Sequence, residues 1–266
     1  MTRTFLTLLH FDGRDFIGWQ RQAAGRSVQG EVERVLERLT GHRIAATAAG
    51  RTDAGVHAEG LGVSFALPER WQPAELRRAL NALLPADCWA ESVHEMHPGF
   101  HARRSALTRR YRYVIGTDDA AASPFRRHWE WALQRPLDLA RLRDAADVIR
   151  GEHAFEAFSV RGQDKPHYRC RLEVAEWAVR DGRGVEFHVE ADRFLHHMVR
   201  MLVGTMVDIA LHRRPPEDMA RLLAGRSNQE TSAPAPAEGL YFVRATYPAS
   251  AFRTAAEELH ETLREG

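Results

Sequence analysis

The order of predicted strands and helices constrains the fold more than any other feature of this sequence. In the first half of the chain, apolar and β-branched stretches predict four strands, at residues 5–11, 44–49, 61–67 and 88–96. Amphipathic spacing predicts two helices between them. Ser27 opens the first helix and Gly41 ends it, while Pro73 opens the second and Pro85 follows its end. The predicted order is therefore β-α-β-β-α-β.

The second half of the chain repeats this order. Its strands are predicted at residues 111–115, 172–179, 184–190 and 240–245, the middle two forming a hairpin. Its helices are predicted at residues 139–149 and 194–210, with a short helix after Pro216 and a terminal helix at 252–263. Two such units in tandem predict an α+β fold of two ferredoxin-like domains, in which helices cover antiparallel sheets.

The boundary between these domains is predicted near residues 100–105. The N-terminal domain would then comprise residues 1–104 and the C-terminal domain residues 105–266. A chain of 266 residues is long enough for two domains of this size. Because ligand sites often form where domains meet, we expect a ligand in the cleft between the halves.

Composition places the chain in the ordinary globular class. Hydrophobic residues make up 44% and charged residues 27% of the sequence, and no apolar run approaches the roughly 18 residues of a membrane span. The first residues enter a strand-like pattern directly, which predicts no signal peptide. Cys88 and Cys170 are far apart and outside any Cys-x-x-Cys pair, which predicts neither a disulfide framework nor a thiolate metal site. A cytoplasmic location is the simplest interpretation.

The net charge of +1 conceals an uneven distribution of arginine. Lys165 is the only lysine, and five arginines without an intervening acidic residue lie between Phe100 and Val114, at positions 103, 104, 109, 110 and 112. Arginine suits phosphate binding and base stacking, so this run predicts a basic cleft that binds nucleic acid. The alternative is an arginine-rich strand edge that is merely solvated.

The run from Arg51 to His57 is the candidate for catalysis. It places the Asp53 carboxylate on a glycine-containing turn between two predicted strands, two residues from the Arg51 guanidinium. A nearby guanidinium favours the ionised form of a carboxylate, which is the form required of a nucleophile. The alternative is a structural aspartate whose side chain caps its own turn.

These residues belong to a longer series of motifs that follow one another over nearly the whole chain. The motifs are Asp12-Gly13, Gly18-Trp19-Gln20-Arg21-Gln22, Ser27-Val28-Gln29, residues 50–57, Phe100-His101-Ala102-Arg103, residues 109–113, residues 196–200 and Glu238-Gly239-Leu240-Tyr241. In kind and in order they resemble the tRNA pseudouridine synthases of the TruA type. The stretch 58–62 is less polar than the family pattern.

The resemblance implies an isomerase that converts uridine to pseudouridine at positions 38, 39 and 40 in the anticodon stem-loop of tRNA. It implies no cofactor and no metal, and a cytoplasmic homodimer. Asp53 matches the catalytic aspartate of the family. Attack on C1′ and removal of a proton from C2′ both remain open, and both require an ionised carboxylate and an everted nucleotide.

Three further residues are assigned to substrate binding. Tyr111 matches the tyrosine that stacks on the target uracil, and Arg200 matches the arginine that pairs with the catalytic aspartate. Arg51 is the candidate for phosphate contact and nucleotide extrusion. Tyr113 shares a strand face with Tyr111, so spacing alone does not distinguish the two.

Other interpretations are open at this stage. A carboxylate-dependent glycoside hydrolase would need a second carboxylate, for which Glu59 is nearest. A non-catalytic RNA-binding module could also use ferredoxin-like sheets, although its aromatic signature is absent. Several histidines suggest a metal, but they do not assemble a ligand set, and packing or RNA contact is favoured; these are His94, His97, His101, His196 and His197. Met198, Met201 and Met206 are predicted to fill the core.

Overall fold

The structure is a computed structural model that describes residues 2–160 and 167–253. Lys165 and most of the predicted terminal helix, 252–263, therefore lie outside the described residues. The described chain divides into two compact units. Residues 2–107 and 242–253 form the first unit, and residues 108–241 form the second.

The first unit contains the predicted β-α-β-β-α-β order. Its elements are β1 (Thr2–Phe11), α1 (Val28–Thr40), β2 (Thr47–Ala48), β3 (His57–Pro68), α2 (Pro73–Leu83) and β4 (Cys88–Met96). The strands lie in the order β4-β1-β3, with β2 paired to β3, and all of these pairs are antiparallel. The predicted caps of α1 are confirmed, since the Ser27 side chain accepts a hydrogen bond from the Gly30 N–H and Gly41 adopts a left-handed conformation.

The second unit contains more strands than the sequence predicted. Its elements are β5 (Thr108–Gly116), β6 (Trp131–Ala132), α3 (Leu139–Val148), β7 (Gly151–Ala154), β8 (Arg169–Arg180), β9 (Gly184–Ala191), α4 (Met198–Ala210) and α5 (Asp218–Leu223). The strands lie in the order β5-β9-β8-β7, with β6 parallel to β5. The predicted hairpin of β8 and β9 is confirmed, whereas β6 and β7 have only two and four residues and too little periodicity to predict.

The last strand, β10 (Leu240–Thr246), begins in the second unit and continues into the first. There it lies beside β3, where Gly60 allows close approach: a Cβ on Gly60 would lie 2.5 Å from the Val243 carbonyl oxygen. Farther along, Phe252 forms an isolated β-bridge with Met96. These contacts group residues 242–253 with the first unit, whereas the sequence analysis placed all of 105–266 in the second domain.

Helix α4 differs from its prediction at one end only. The predicted helix began at residue 194, but α4 begins at Met198, because His197 has a left-handed backbone with φ of 63° and does not continue a helix. Met198, Met201 and Met206 are at most 4% exposed, which confirms that they fill the core. No helix in the described parts of the chain is both long and apolar enough to span a membrane.

The combination of antiparallel sheets with packed helices is compatible with the predicted α+β class. The finer assignment of two tandem ferredoxin-like domains around a basic cleft stays a prediction.

Candidate active site

Asp53 lies on the loop between β2 and β3, which we call the Asp53 loop (residues 49–56). The loop contains a tight turn, in which the Val56 N–H donates to the Asp53 carbonyl oxygen at 3.2 Å and Gly55 has a φ of 79°. Exposure changes from residue to residue: Arg51 is exposed, Thr52 is buried and Asp53 is half-buried. The Asp53 carboxylate is therefore carried on a folded turn and retains access to solvent.

The backbone of the Asp53 loop rests on the segment that follows β1, which we call the cradle segment (residues 12–19). The Trp19 N–H donates to the Thr52 carbonyl oxygen at 3.1 Å, and the Gly55 N–H donates to the Phe16 carbonyl oxygen at 3.3 Å. Gly18 has a φ of 103°, and a Cβ there would lie 2.4 Å from the Thr52 carbonyl oxygen. This contact leaves no room for a side chain at residue 18 and fixes the distance between the Asp53 loop and the cradle segment.

Arg26 contacts the cradle segment through the Phe16 ring and through a hydrogen bond from the Ile17 N–H to its carbonyl oxygen. Its guanidinium forms two hydrogen bonds with Asp87, at 2.5 and 2.9 Å, and a third with Glu31 at 2.9 Å. The same group lies 4.2 Å from the centre of the Phe16 ring. The hydrogen bond with Asp87 is the main reason that the pKa of Arg26 is raised, so its charge is permanent at any physiological pH. Sequence reasoning did not single out Arg26, because its partners are remote along the chain.

His57, the first residue of β3, closes the Asp53 loop. Its side chain is 2% exposed, and its Nδ1 accepts a hydrogen bond from the Gly13 N–H at 3.1 Å. The Asp12 carboxylate lies 3.4 Å from the same nitrogen and accepts hydrogen bonds from the Arg14 side chain and backbone N–H. Partial burial acts to raise the pKa of Asp12, but the hydrogen bonds from Arg14 outweigh it and lower the pKa below its ordinary value of 3.8.

The lowered pKa of Asp12 predicts a pH-dependent contribution to stability. Because the folded-state pKa lies below 3.8, this contribution is fully present above about pH 4 and is lost as the pH falls through the lowered value. An Asp12→Asn variant should therefore lose less of its free energy of unfolding than wild type between about pH 4 and pH 2. Denaturant unfolding at several pH values measures this. The same acid dependence in both proteins would contradict the prediction.

In the second unit, Tyr111 lies on β5 and is 8% exposed. The Phe194 ring packs against it in a T-shaped arrangement, with the ring centres 5.0 Å apart at an interplanar angle of 83°. Tyr113, two residues on, is fully buried, and its hydroxyl donates to the Pro236 carbonyl oxygen at 2.7 Å. Burial raises the pKa of Tyr113 well above 10, so this hydroxyl stays protonated. Both tyrosines are therefore buried, Tyr113 completely and with its hydroxyl bonded to Pro236, and the assignment of Tyr111 as the stacking residue stays a prediction.

The three arginines of the run that lie on β5 are divided between the two faces of the strand. Alternation along β5 places Arg110 and Arg112 on the face of the sheet opposite Tyr111. There they pair with carboxylates of the neighbouring strand β9, Arg110 with Glu190 at 3.7 Å and Arg112 with Glu186 at 3.5 Å. The sequence missed these partners because Glu186 and Glu190 are 74 and 80 residues away from Arg112 and Arg110 along the chain.

Arg200 lies in the first turn of α4 and is half-buried. Its Nε donates to the Ala235 carbonyl oxygen at 2.7 Å, and its own carbonyl oxygen accepts from the Ala235 N–H at 2.9 Å. Gly204, one turn later, contacts the same segment, since a Cβ there would lie 2.2 Å from the Ala233 carbonyl oxygen. Residue 235 therefore contacts both the backbone and the side chain of Arg200, and the bond to Nε restricts the rotamer of the side chain.

The histidines noted in the sequence have local contacts. His94 lies 3.0 Å from the Ser92 hydroxyl, and the His101 Nδ1 accepts hydrogen bonds from the N–H groups of Arg103 and Arg104. Partial burial and the adjacent Arg104 lower the pKa of His101. The rings of His196 and His197 pack with their centres 4.2 Å apart.

The predicted site residues are thus divided between the units. Arg51 and Asp53 lie on one loop of the first unit, and Tyr111 and Arg200 lie on β5 and α4 of the second. The supporting residues Gly18 and His57 were inside quoted motifs, but only the structure gives them a role in holding the Asp53 loop.

Most of the chain matches proteins of a single family. A family model described as tRNA pseudouridine synthase matches residues 8–103 and 145–248. The tRNA pseudouridine synthase A of Moorella thermoacetica is 42% identical over 241 residues, covering 90% of this chain and 97% of the relative. The proteins of the same description from Thermus thermophilus and Geobacillus kaustophilus are 39% and 36% identical, over 92% and 93% of this chain and 97% and 95% of their own lengths.

The chain therefore belongs to the tRNA pseudouridine synthase family. It is an isomerase that acts on tRNA. Membership of this family favours the pseudouridine synthase over the glycoside hydrolase and the non-catalytic RNA-binding module.

Proposed function

We propose that this enzyme converts uridine to pseudouridine at positions 38, 39 and 40 of the tRNA anticodon stem-loop, with Asp53 as its catalytic carboxylate. The observation that carries the proposal is the position of Asp53. It lies within the matched residues 8–103, half-exposed on a loop whose backbone is fixed by the cradle segment. A carboxylate that is held in a fixed position and remains accessible to solvent suits an everted nucleotide as substrate.

The chemistry requires only the nucleotide and groups of the protein. The N1–C1′ bond breaks, the uracil turns, and a C5–C1′ bond forms while the C5 proton moves to N1, so atoms and electrons balance without a cofactor. The Asp53 carboxylate takes part either by attacking C1′ or by removing the C2′ proton. A substrate deuterated at C2′ distinguishes these routes, because only proton removal gives a primary isotope effect.

Arg51 is proposed to contact phosphate and to assist extrusion of the nucleotide. Its side chain is exposed, and it makes no ion pair with any residue that the structure describes. A guanidinium in this state can bind a phosphate without first leaving a carboxylate of the protein. Its position two residues from Asp53 puts this contact next to the reacting nucleotide.

Tyr111 and Arg200 are proposed as the contributions of the second unit. Tyr111 would stack on the target uracil, an interaction of about 1–3 kcal/mol per base. Arg200 would pair with the catalytic carboxylate, and the hydrogen bond from its Nε to the Ala235 carbonyl oxygen supports this by orienting the guanidinium. The matched residues include Arg200 but not Tyr111. A homodimer in the cytoplasm completes the proposal.

The choice of nucleotide can be tested with anticodon stem-loops that carry a single uridine. We expect product from substrates with uridine at position 38, 39 or 40, and none from a substrate that has cytidine at all three and uridine elsewhere in the stem. Because isomerisation leaves the mass unchanged, the product is detected by mass spectrometry after labelling with a reagent selective for pseudouridine. Equal labelling of the control substrate would contradict the assigned positions.

A further inference from the structure

His57 follows the Asp53 loop directly and joins it to the cradle segment. It is the first residue of β3, four residues after Asp53, and its imidazole is almost completely buried. Backbone groups of Thr52 and Gly55 also hold the loop to the cradle segment. The imidazole adds a side-chain connection from the end of the loop to the Gly13 N–H.

The geometry at Nδ1 defines which form of the ring makes this connection. An N–H group cannot bond to a nitrogen that itself carries a proton, so Nδ1 must be deprotonated to accept from Gly13. The Asp12 carboxylate, 3.4 Å away, would instead favour a proton on Nδ1. The carboxylate oxygen that faces Nδ1, Oδ1 of Asp12, already accepts from the Arg14 Nε at 3.0 Å and from the Arg14 backbone N–H at 3.2 Å, and the Gly13 N–H points at Nδ1 itself.

We propose that His57 is a positioning residue for Asp53, acting as a hydrogen-bond acceptor that holds the end of the Asp53 loop against Gly13. The inference rests on the proposed role of Asp53. Gly13 suits this contact because its Cα lies directly against the loop, so that a Cβ there would meet the Val56 carbonyl oxygen at 2.1 Å. Loss of the acceptor would leave the Gly13 N–H buried without its partner and allow residues 53–56 to shift.

Two substitutions of similar polarity separate this role from general packing. In His57→Asn, the amide oxygen can occupy the place of Nδ1 and accept from Gly13. In His57→Gln, the longer side chain carries its amide to the place of Nε2 and offers no acceptor near Gly13. We expect kcat of His57→Gln to fall by about 10- to 100-fold with little change in KM for tRNA, and His57→Asn to recover most of the lost rate.

The control is His94→Gln, which removes a half-buried histidine on β4 and should leave the rate unchanged. Wild-type kcat in His57→Gln, a loss confined to KM, or a folded His57→Asn as slow as His57→Gln would each overturn the proposal. If His57→Gln fails to fold, His57→Leu, which also lacks an acceptor, replaces it in the comparison with His57→Asn, and equal rates of the two would overturn the proposal. An Asp53→Asn variant measured alongside keeps the two proposals separate: if it is inactive while His57→Gln is fully active, only the role of His57 fails, whereas an active Asp53→Asn defeats the proposed function.

Discussion

Replacement of Asp53 by asparagine should lower the rate of pseudouridine formation by on the order of 10³-fold or more while tRNA binding is retained. Asparagine has nearly the shape of aspartate, so the Asp53 loop can keep its turn and its contacts with the cradle segment. The variant lacks only the negative charge and the basic oxygen that attack on C1′ or removal of the C2′ proton requires. Single-turnover rates with labelled product, and the Kd for tRNA measured separately, test both parts of the expectation.

A matched control is Asp181→Asn in the turn between β8 and β9. Asp181 also lies at a tight turn beside a glycine of positive φ, Gly182 at 73°, but it is exposed and belongs to the second unit. Its loss should leave the rate within about twofold of wild type, as for other surface substitutions. Near-normal turnover by Asp53→Asn would refute the catalytic assignment, and a loss of tRNA binding equal to the loss of rate would indicate a binding role instead.

The second large effect is expected from Gly18→Ala, in the cradle segment. An added methyl group would lie 2.4 Å from the Thr52 carbonyl oxygen and 3.0 Å from the Asp53 carbonyl carbon, both backbone atoms that cannot rotate away. The φ of 103° adds a strain of about 1–3 kcal/mol. Because a displacement of about 1 Å in a catalytic group can cost on the order of 100-fold in rate, we expect a loss of that size in kcat.

The variant Gly41→Ala separates the effect of displacing the Asp53 loop from the effect of backbone strain at a positive φ. Gly41 ends α1 with a φ of 78°, but a Cβ there meets nothing within 4 Å. Both variants should therefore unfold at lower temperature, and only Gly18→Ala should lose activity, as measured by thermal unfolding and by turnover of tRNA. Equal activity of the two variants would show that the contact between Gly18 and Thr52 does not set the position of Asp53.

The sequence predicted those parts of the fold that depend on neighbouring residues. Ser27 and Gly41 act on the helix between them, and the turn at 181–183 acts on the two strands that it joins, so their patterns were sufficient. The start of α4 at Met198 was missed because no residue such as glycine marks the left-handed conformation of His197 in the sequence. Short strands such as β6 exist only through a partner that is remote along the chain.

The candidate site was likewise predictable where its residues are close together along the chain, and not where they are remote. Asp53 and Arg51 were found because they are close together in a motif, and the structure places them on one loop. The partners of Arg110 and Arg112 were not found, because Glu190 and Glu186 become neighbours only when β5 pairs with β9. The supports of the Asp53 loop were missed for the same reason, since Gly18 is recognised as a support only from its distance to Thr52.

The return of residues 242–253 to the first unit has a consequence for biosynthesis. The ribosome makes strands β1 to β4 first, yet β10, one of the strands that lie beside β3, is made only after the whole second unit. Glu95 on β4 likewise binds Arg3 at once but must wait for Arg253, which bonds to its other carboxylate oxygen. The nascent first unit therefore lacks the β10 partner of β3 throughout translation of residues 108–241, and an unpaired strand edge of this kind is prone to aggregation.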